Sequence, residues 1–170
     1  MIIRCLGAAL ILITCGGFGF SLSKRYRKEV SMLENTISLL NFMERELLYN
    51  LTPVPELSRK TAAETNGLLK ELFLKFSNEL ENHYSPNVSG CMKAVVASTV
   101  GLPETVSLIM LDLGKNLGRF DLSGQLKGLK LIKSKAIEKL KEYKQSCNYR
   151  THGYQTLGLC AGAALAILFI

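Results

Sequence analysis

Residues 114–125 read GKNLGRFDLSGQ and combine three glycines with a lysine, an arginine and an aspartate. Such letters can form a loop whose backbone N–H groups and lysine bind phosphate. A phosphate-binding loop of the Walker type, however, has a glycine five residues before its Gly-Lys pair and a serine or threonine after it. Here those two places hold Ile109 and Asn116, and the stretch contains no Gly-x-Gly pair of the dinucleotide fingerprint. The spacing therefore argues against a nucleotide site.

Other side chains that could take part in catalysis or bind a metal are scattered along the sequence. Glu44 and Glu46 do not share a helix face, so they do not form a pair of catalytic carboxylates. The five cysteines contain no Cys-x-x-Cys, and His83 and His152 have no potential metal ligands at useful spacing. We therefore predict that the protein is not an enzyme and has no cofactor or metal.

Residues 114–125 are better explained as a tight corner between two helices. Gly118 stands where a helix should stop, and glycine readily adopts the left-handed conformation found just past helix ends. Asp121 can cap the following helix through its carboxylate. Gly114 and Gly124 have no side chain, which suits a close approach of the crossing helices.

The helices that position this corner follow from the spacing of apolar residues and from the breakers between them. No segment alternates as a strand does, so the predicted fold is all-α. Six helices are expected in a bundle: about residues 24–50, then 55–65 after Pro53, then 68–82 after the stop at Asn66-Gly67, from a cap at Ser85 to 100, from Pro103 to 117, and 122–149.

The two ends of the chain are uncharged over 19 residues, Cys5 to Ser23, and over 18 residues, Gly153 to Ile170. A bilayer core of about 30 Å needs roughly 20 apolar residues as a helix. We therefore predict transmembrane helices at 1–23 and 151–170 around a helical domain at 24–150. Within the second span, the spacing of Gly158, Gly162 and Ala166 suits close packing of membrane helices.

Two alternatives stay open for the first span, a cleaved signal peptide and a lipoprotein signal at Cys15. An uncleaved anchor is favoured, because only Arg4 precedes the span. Nine lysines and arginines flank the spans on the side of the central domain, against Arg4 alone on the other. This bias predicts that the domain faces the cytoplasm.

Most of the net charge of +7 lies in residues 124–150, which hold eight basic and two acidic side chains. A basic segment next to a membrane span suits anionic lipid headgroups. Nucleic-acid binding is a weaker explanation, because only Tyr143 and Tyr149 provide aromatic side chains among these charges.

Two stretches of the sequence are distinctive. The first is LGKNLGRFD at the corner, residues 113–121, followed by Gly124-Gln125, and the second is LTPVPE at residues 51–56. Together with the predicted layout, they resemble the stage III sporulation protein AB family of endospore-forming bacteria. Ser123 stands where that family often has an acidic residue. The family's helical domain is similar to the cytoplasmic domain of the type II secretion F platform protein.

The resemblance implies a non-catalytic platform in the channel apparatus that links mother cell and forespore, required for endospore formation. The implied location is the mother-cell membrane around the forespore. The implied partners are other channel subunits, including a secretion-type ATPase, and membrane lipids; a homo-oligomer is also allowed. Arg119 and Phe120 are candidate partner contacts. The alternative is a membrane-anchored adaptor or regulator that is not part of a channel.

Overall fold

The computed structural model describes residues 27–82, 87–117 and 121–169, and their side chains as far as residue 145. This part of the chain is all helical and contains no strand. The predicted all-α fold of six helices is therefore confirmed. The helices are α1 (27–45), which continues as a π-helical turn at Glu46–Asn50, α2 (Val54–Glu64), α3 (Gly67–Asn82), α4 (Val88–Ser98), α5 (Glu104–Asn116) and α6 (Leu122–Phe169).

The chain divides into two units, of which the larger is Ser31–Leu140. In that unit α2 packs on α3, α3 on α4, and α4 on α5. Phe73 and Phe76 of α3 are completely buried and meet edge to face, with ring centroids 6.2 Å apart. The other unit takes Met1–Val30 and Lys141–Ile170, of which residues 27–30 and 141–169 are described as helix.

Prolines and a glycine mark two of the breaks between helices. Pro53 precedes α2 and Pro55 lies in its first turn, where the missing N–H group of proline costs nothing. Gly67, the first residue of α3, has a φ of 65°, a conformation that glycine adopts without strain. These two breaks lie where the sequence pattern predicts them.

The start of α4 differs from the expectation. Its cap is Asn87, whose side-chain oxygen accepts a hydrogen bond from the Gly90 N–H at 2.7 Å. The predicted cap, Ser85, lies outside the described residues. Both side chains are good caps by type, so the helix boundary decides between them.

Replacing Asn87 with alanine is expected to lower the free energy of unfolding by about 1 kcal/mol, the typical value of an N-cap. Asn78→Ala is the matched control, because Asn78 is exposed within α3 and alanine has the higher helix propensity. Thermal unfolding of the two variants, followed by far-UV circular dichroism, measures the difference. Equal stability of the variants would contradict the cap at Asn87.

In the part of the chain that the structure describes, no helix combines the length and apolar character needed to cross a membrane. The predicted span at 1–23 lies outside the described residues. The backbone of α6 reaches Phe169, but the side chains of the predicted span at 151–170 lie outside them, including Gly158, Gly162 and Ala166.

Candidate functional site

The corner between α1 and α2 is organised around the carboxylate of Glu46. This carboxylate accepts hydrogen bonds from Asn50 Nδ2 at 2.9 Å, from Thr52 Oγ1 at 3.0 Å and from Lys60 Nζ at 3.0 Å. Lys60 also lies 3.4 Å from Glu56. Glu46 therefore connects the π-helical turn, the segment after it and α2.

The backbone at this corner is unusual. The turn Glu46–Asn50 is π-helical, and Leu51 has a φ of 52° in the left-handed region. π-Helical turns and left-handed non-glycine residues are both costly, and they occur often at functional sites. The hydrogen bonds to Glu46 from both sides of Leu51 hold the chain in this conformation. This arrangement can provide a fixed corner that presents exposed side chains to a partner.

The same hydrogen bonds govern the ionisation of Glu46. The ammonium of Lys60, and then the hydroxyl of Thr52, hold the pKa of Glu46 below its ordinary value. The Glu46 carboxylate in turn raises the pKa of Lys60. A carboxylate held ionised by these donors is a weak base, so the arrangement suits a structural role better than proton transfer.

Because the pKa of Glu46 is lower in the folded chain, the unfolded chain binds more protons in acid. The stability that this group adds is complete above the unfolded pKa of about 4.3 and is lost as the pH falls through the folded pKa. Between about pH 6 and about pH 3, the wild type should therefore lose more stability than Glu46→Gln does. Thermal unfolding across this range measures the two slopes.

The matched control is Glu71→Gln, since Glu71 forms an ordinary exposed pair with Lys75 at 2.7 Å. This variant should keep the acid dependence of the wild type. Parallel stability profiles for the wild type and Glu46→Gln would refute the role of Glu46.

The second corner, between α5 and α6, contains the glycine-rich stretch. Asp121 caps α6: its Oδ1 accepts the Gly124 N–H at 3.2 Å, and its backbone oxygen accepts the Gln125 N–H at 2.9 Å. The pKa of Asp121 is lowered mainly by the hydrogen bond that its carboxylate accepts from the Ser123 hydroxyl. The hydrogen bond from the Gly124 backbone N–H lowers it further. Gly118, Arg119 and Phe120 lie outside the described residues.

The expected close approach at Gly124 stays a prediction. Gly114 is buried against α4, where an added Cβ would lie 2.5 Å from Met92 Cβ. Gly128 lets α6 lie close to α5, because a Cβ there would lie 2.4 Å from Asn116 Oδ1. The period of α6 places Gly128 four residues after Gly124, and this spacing could have identified it.

Several lysines of α6 are paired with carboxylates of other helices. The Glu44 side chain of α1, which interrupts an apolar stripe, is 16% exposed and contacts Lys133. It also lies 3.9 Å from Lys130, and Asp112 of α5 lies 3.6 Å from Lys135. These ion pairs join α6 to α1 and α5, and they neutralise part of the basic excess in residues 124–150.

Among the described residues, no three histidine, cysteine, aspartate or glutamate side chains come together as metal ligands could. The geometry around Glu46 and Asp121 stabilises two corners of a helical bundle. Together with the six-helix fold, it places the chain in the class of small all-helical bundle domains. The comparisons with known proteins then identify its family.

The chain belongs to the stage III sporulation protein AB family, whose model matches residues 4–170. The stage III sporulation protein AB of Bacillus subtilis (strain 168) is 25% identical over an alignment of 172 positions, which covers 99% of this chain and 99% of the relative. Membership in this family places the chain among sporulation proteins.

A solved structure of stage III sporulation protein AB (SpoIIIAB) has a similar fold. The TM-score is 0.60 at 21% sequence identity, and the match covers 71% of this chain and 97% of that chain. At this identity the likeness concerns the fold alone.

Proposed function

We propose that the chain is a non-catalytic membrane platform of a secretion-like channel between mother cell and forespore. The bundle receives cytoplasmic partners, among them a secretion-type ATPase, in the manner of the type II secretion F platform domain. The predicted spans pack against other channel subunits, the second through Gly158, Gly162 and Ala166. The family match over residues 4–170 supports a role in sporulation.

One observation carries the platform role. The helical backbone of α6 runs without a break from Leu122, beside the glycine-rich corner, to Phe169. Its last part is the uncharged sequence that begins at Gly153. A continuous helix connects bundle residues directly to the predicted membrane segment, as a platform requires.

Sporulation and membrane association can be tested together. A strain that lacks the gene should form few or no heat-resistant spores, and the full chain supplied in trans should restore them. A chain truncated after Arg150 should stay in the membrane fraction through the predicted first span, but it should restore fewer spores. Normal spore counts in the deletion strain would contradict the proposed role.

The orientation has a separate test in intact vegetative cells that express the chain. Cys147 should resist a membrane-impermeant thiol reagent until the cells are permeabilised, because the nine basic residues beside the predicted spans favour a cytoplasmic domain. The matched control is Ile2→Cys, which should react in intact cells. Ready labelling of Cys147 before permeabilisation would reverse the orientation.

The alternative function is a membrane-anchored adaptor or regulator that is not part of a channel. It shares the fold, the corners and the anchoring, and differs in its partners. Recovery of the chain without any channel subunit would favour it.

A further inference from the structure

A cleft of about 260 Å³ opens between α1 and the turn that joins α2 to α3. Its apolar floor, formed by Leu39 and Phe42 of α1 and Leu69 of α3, also holds the buried Thr61 and Thr65. Pockets that bury an entire small molecule measure about 300–1,000 Å³. The size of this cleft therefore suits one or two side chains of a protein better than a free ligand.

Polar groups around the cleft lack partners among the described residues. Thr65 is 8% exposed, and its Oγ1 has no hydrogen-bond partner. Arg45 and Glu64, on opposite walls of the cleft, are exposed, and neither forms an ion pair with any residue that the structure describes. An occupant that offers a hydroxyl and both charges would satisfy these groups.

Next to the cleft stands an apolar knob, formed by Leu48, Tyr49 and Leu51 of the α1–α2 corner. The three side chains are 51%, 76% and 64% exposed. Arg45 lines the cleft, and Tyr49 follows it by four residues through the π-helical turn, so the knob begins within about one helical turn of the cleft. The hydrogen bonds to Glu46 fix the backbone of the knob.

We propose that this surface is a homodimer interface, in which a twofold axis places the knob of each copy in the cleft of the other. A patch that carries both a projection and its receptor is self-complementary, as a twofold interface requires. The Tyr49 ring covers the apolar floor and its hydroxyl reaches Thr65. Arg45 of one copy pairs with Glu64 of the other.

The composition of the patch also fits this occupant. Tyrosine, phenylalanine and arginine are enriched at protein interfaces and lysine is depleted, and tyrosine combines a large apolar body with a hydroxyl that needs a partner. The inference goes beyond the proposed function and does not depend on a channel, so either one can fail while the other holds.

Sedimentation velocity of the full chain in mild detergent tests the dimer. The wild type should sediment as a dimer, and Tyr49→Asp should weaken the dimer by roughly tenfold or more, as the loss of a central interface residue does. Leu108→Asp is the matched control, because Leu108 is 58% exposed on α5 and does not line the cleft; it should leave the dimer unchanged.

The charges provide a sharper test. Arg45→Glu and Glu64→Arg should each weaken the dimer, whereas the double variant should restore it, because a twofold interface pairs the two positions across the axis. Both positions are exposed, so the variants should fold, and circular dichroism checks that they do. Failure of the double variant to recover dimerisation would overturn the pairing.

Cross-linking locates the contact. In a chain whose cysteines other than the buried Cys91 are serine, one tagged copy carries Tyr49→Cys and a second carries Asn66→Cys. A short thiol cross-linker should join the two tags, and Leu108→Cys in place of Asn66→Cys should give no product. The proposal is overturned by a monomeric wild type, by a dimer insensitive to Tyr49→Asp, or by cross-links that form only to a different protein.

Discussion

Replacing Gly114 with valine is expected to lower the free energy of unfolding by about 3 kcal/mol, the upper part of the range for overpacking a core. Gly114 is buried on α5, and an added Cβ would lie 2.5 Å from Met92 Cβ and 2.9 Å from Met92 Cγ. The nearer atom is attached to the backbone of α4, so a rotation of the methionine side chain cannot relieve the contact. The melting temperature should fall by about 10 °C.

Two further variants separate this clash from the lower helix propensity of valine. Ala97→Val is the matched control, since Ala97 is exposed on α4 and its substitution should cost only a few tenths of a kcal/mol. Met92→Gly removes the Met92 Cβ together with the rest of the side chain, so Gly114→Val should cost less in the Met92→Gly background than in the wild type. Additive effects in this double-mutant cycle would show that Gly114 and Met92 do not meet.

Replacing Phe76 with alanine is expected to cost about 4 kcal/mol, within the range of aromatic truncations in a core. Phe76 is completely buried and stacks edge to face with Phe73 at a centroid distance of 6.2 Å. The substitution removes this contact and leaves a cavity in the core beside α3. This helix packs against both α2 and α4. Thermal or urea unfolding of the full chain in mild detergent measures the loss.

Leu74 gives the matched control on the same helix, because it is 43% exposed. Leu74→Ala should cost less than about 1 kcal/mol, as surface substitutions usually do. If Phe76→Ala and Leu74→Ala were equally mild, the central position of α3 in the core would be wrong.

The helical pattern could be predicted from local sequence because the apolar stripes and the breakers agree. Val106, Ile109, Met110 and Leu113 have the spacing of a helix face, and all four are buried on α5. Pro53 and Gly67 mark breaks that backbone chemistry alone requires. On α6, by contrast, only the central part of an apolar stripe with the same spacing is buried, at Leu129, Ile132 and Ala136. The other residues of that stripe are intermediate or exposed: Leu122, Leu126, Leu140 and Tyr143.

The remaining features depend on contacts between distant residues. The π-helical turn and the left-handed Leu51 exist because Thr52 and Lys60 reach Glu46 from outside α1. Glu44 interrupts an apolar stripe in the sequence, and only the position of α6 reveals Lys133 as its partner. The sequence likewise does not predict that the Thr65 hydroxyl is buried without a hydrogen-bond partner, because this depends on the packing of α1 beside it.

The fold also shows which role the stretch GKNLGRFDLSGQ has. The stretch supplies a helix cap at Asp121 and a packing position at Gly114, which are structural tasks. Arg119 and Phe120 lie outside the described residues, and their contact with a partner stays a prediction. The variants Arg119→Glu and Phe120→Asp test this prediction by their effect on partner binding.

Affinity purification of the tagged full chain from membranes of sporulating cells tests the platform role most directly. Cells of the same strain collected before sporulation, and an unrelated tagged membrane protein, provide the controls. The platform role predicts that a secretion-type ATPase and other channel subunits are recovered with the chain, specifically during sporulation. Recovery of the chain without any channel subunit, from cells that still need it to form spores, would contradict that role.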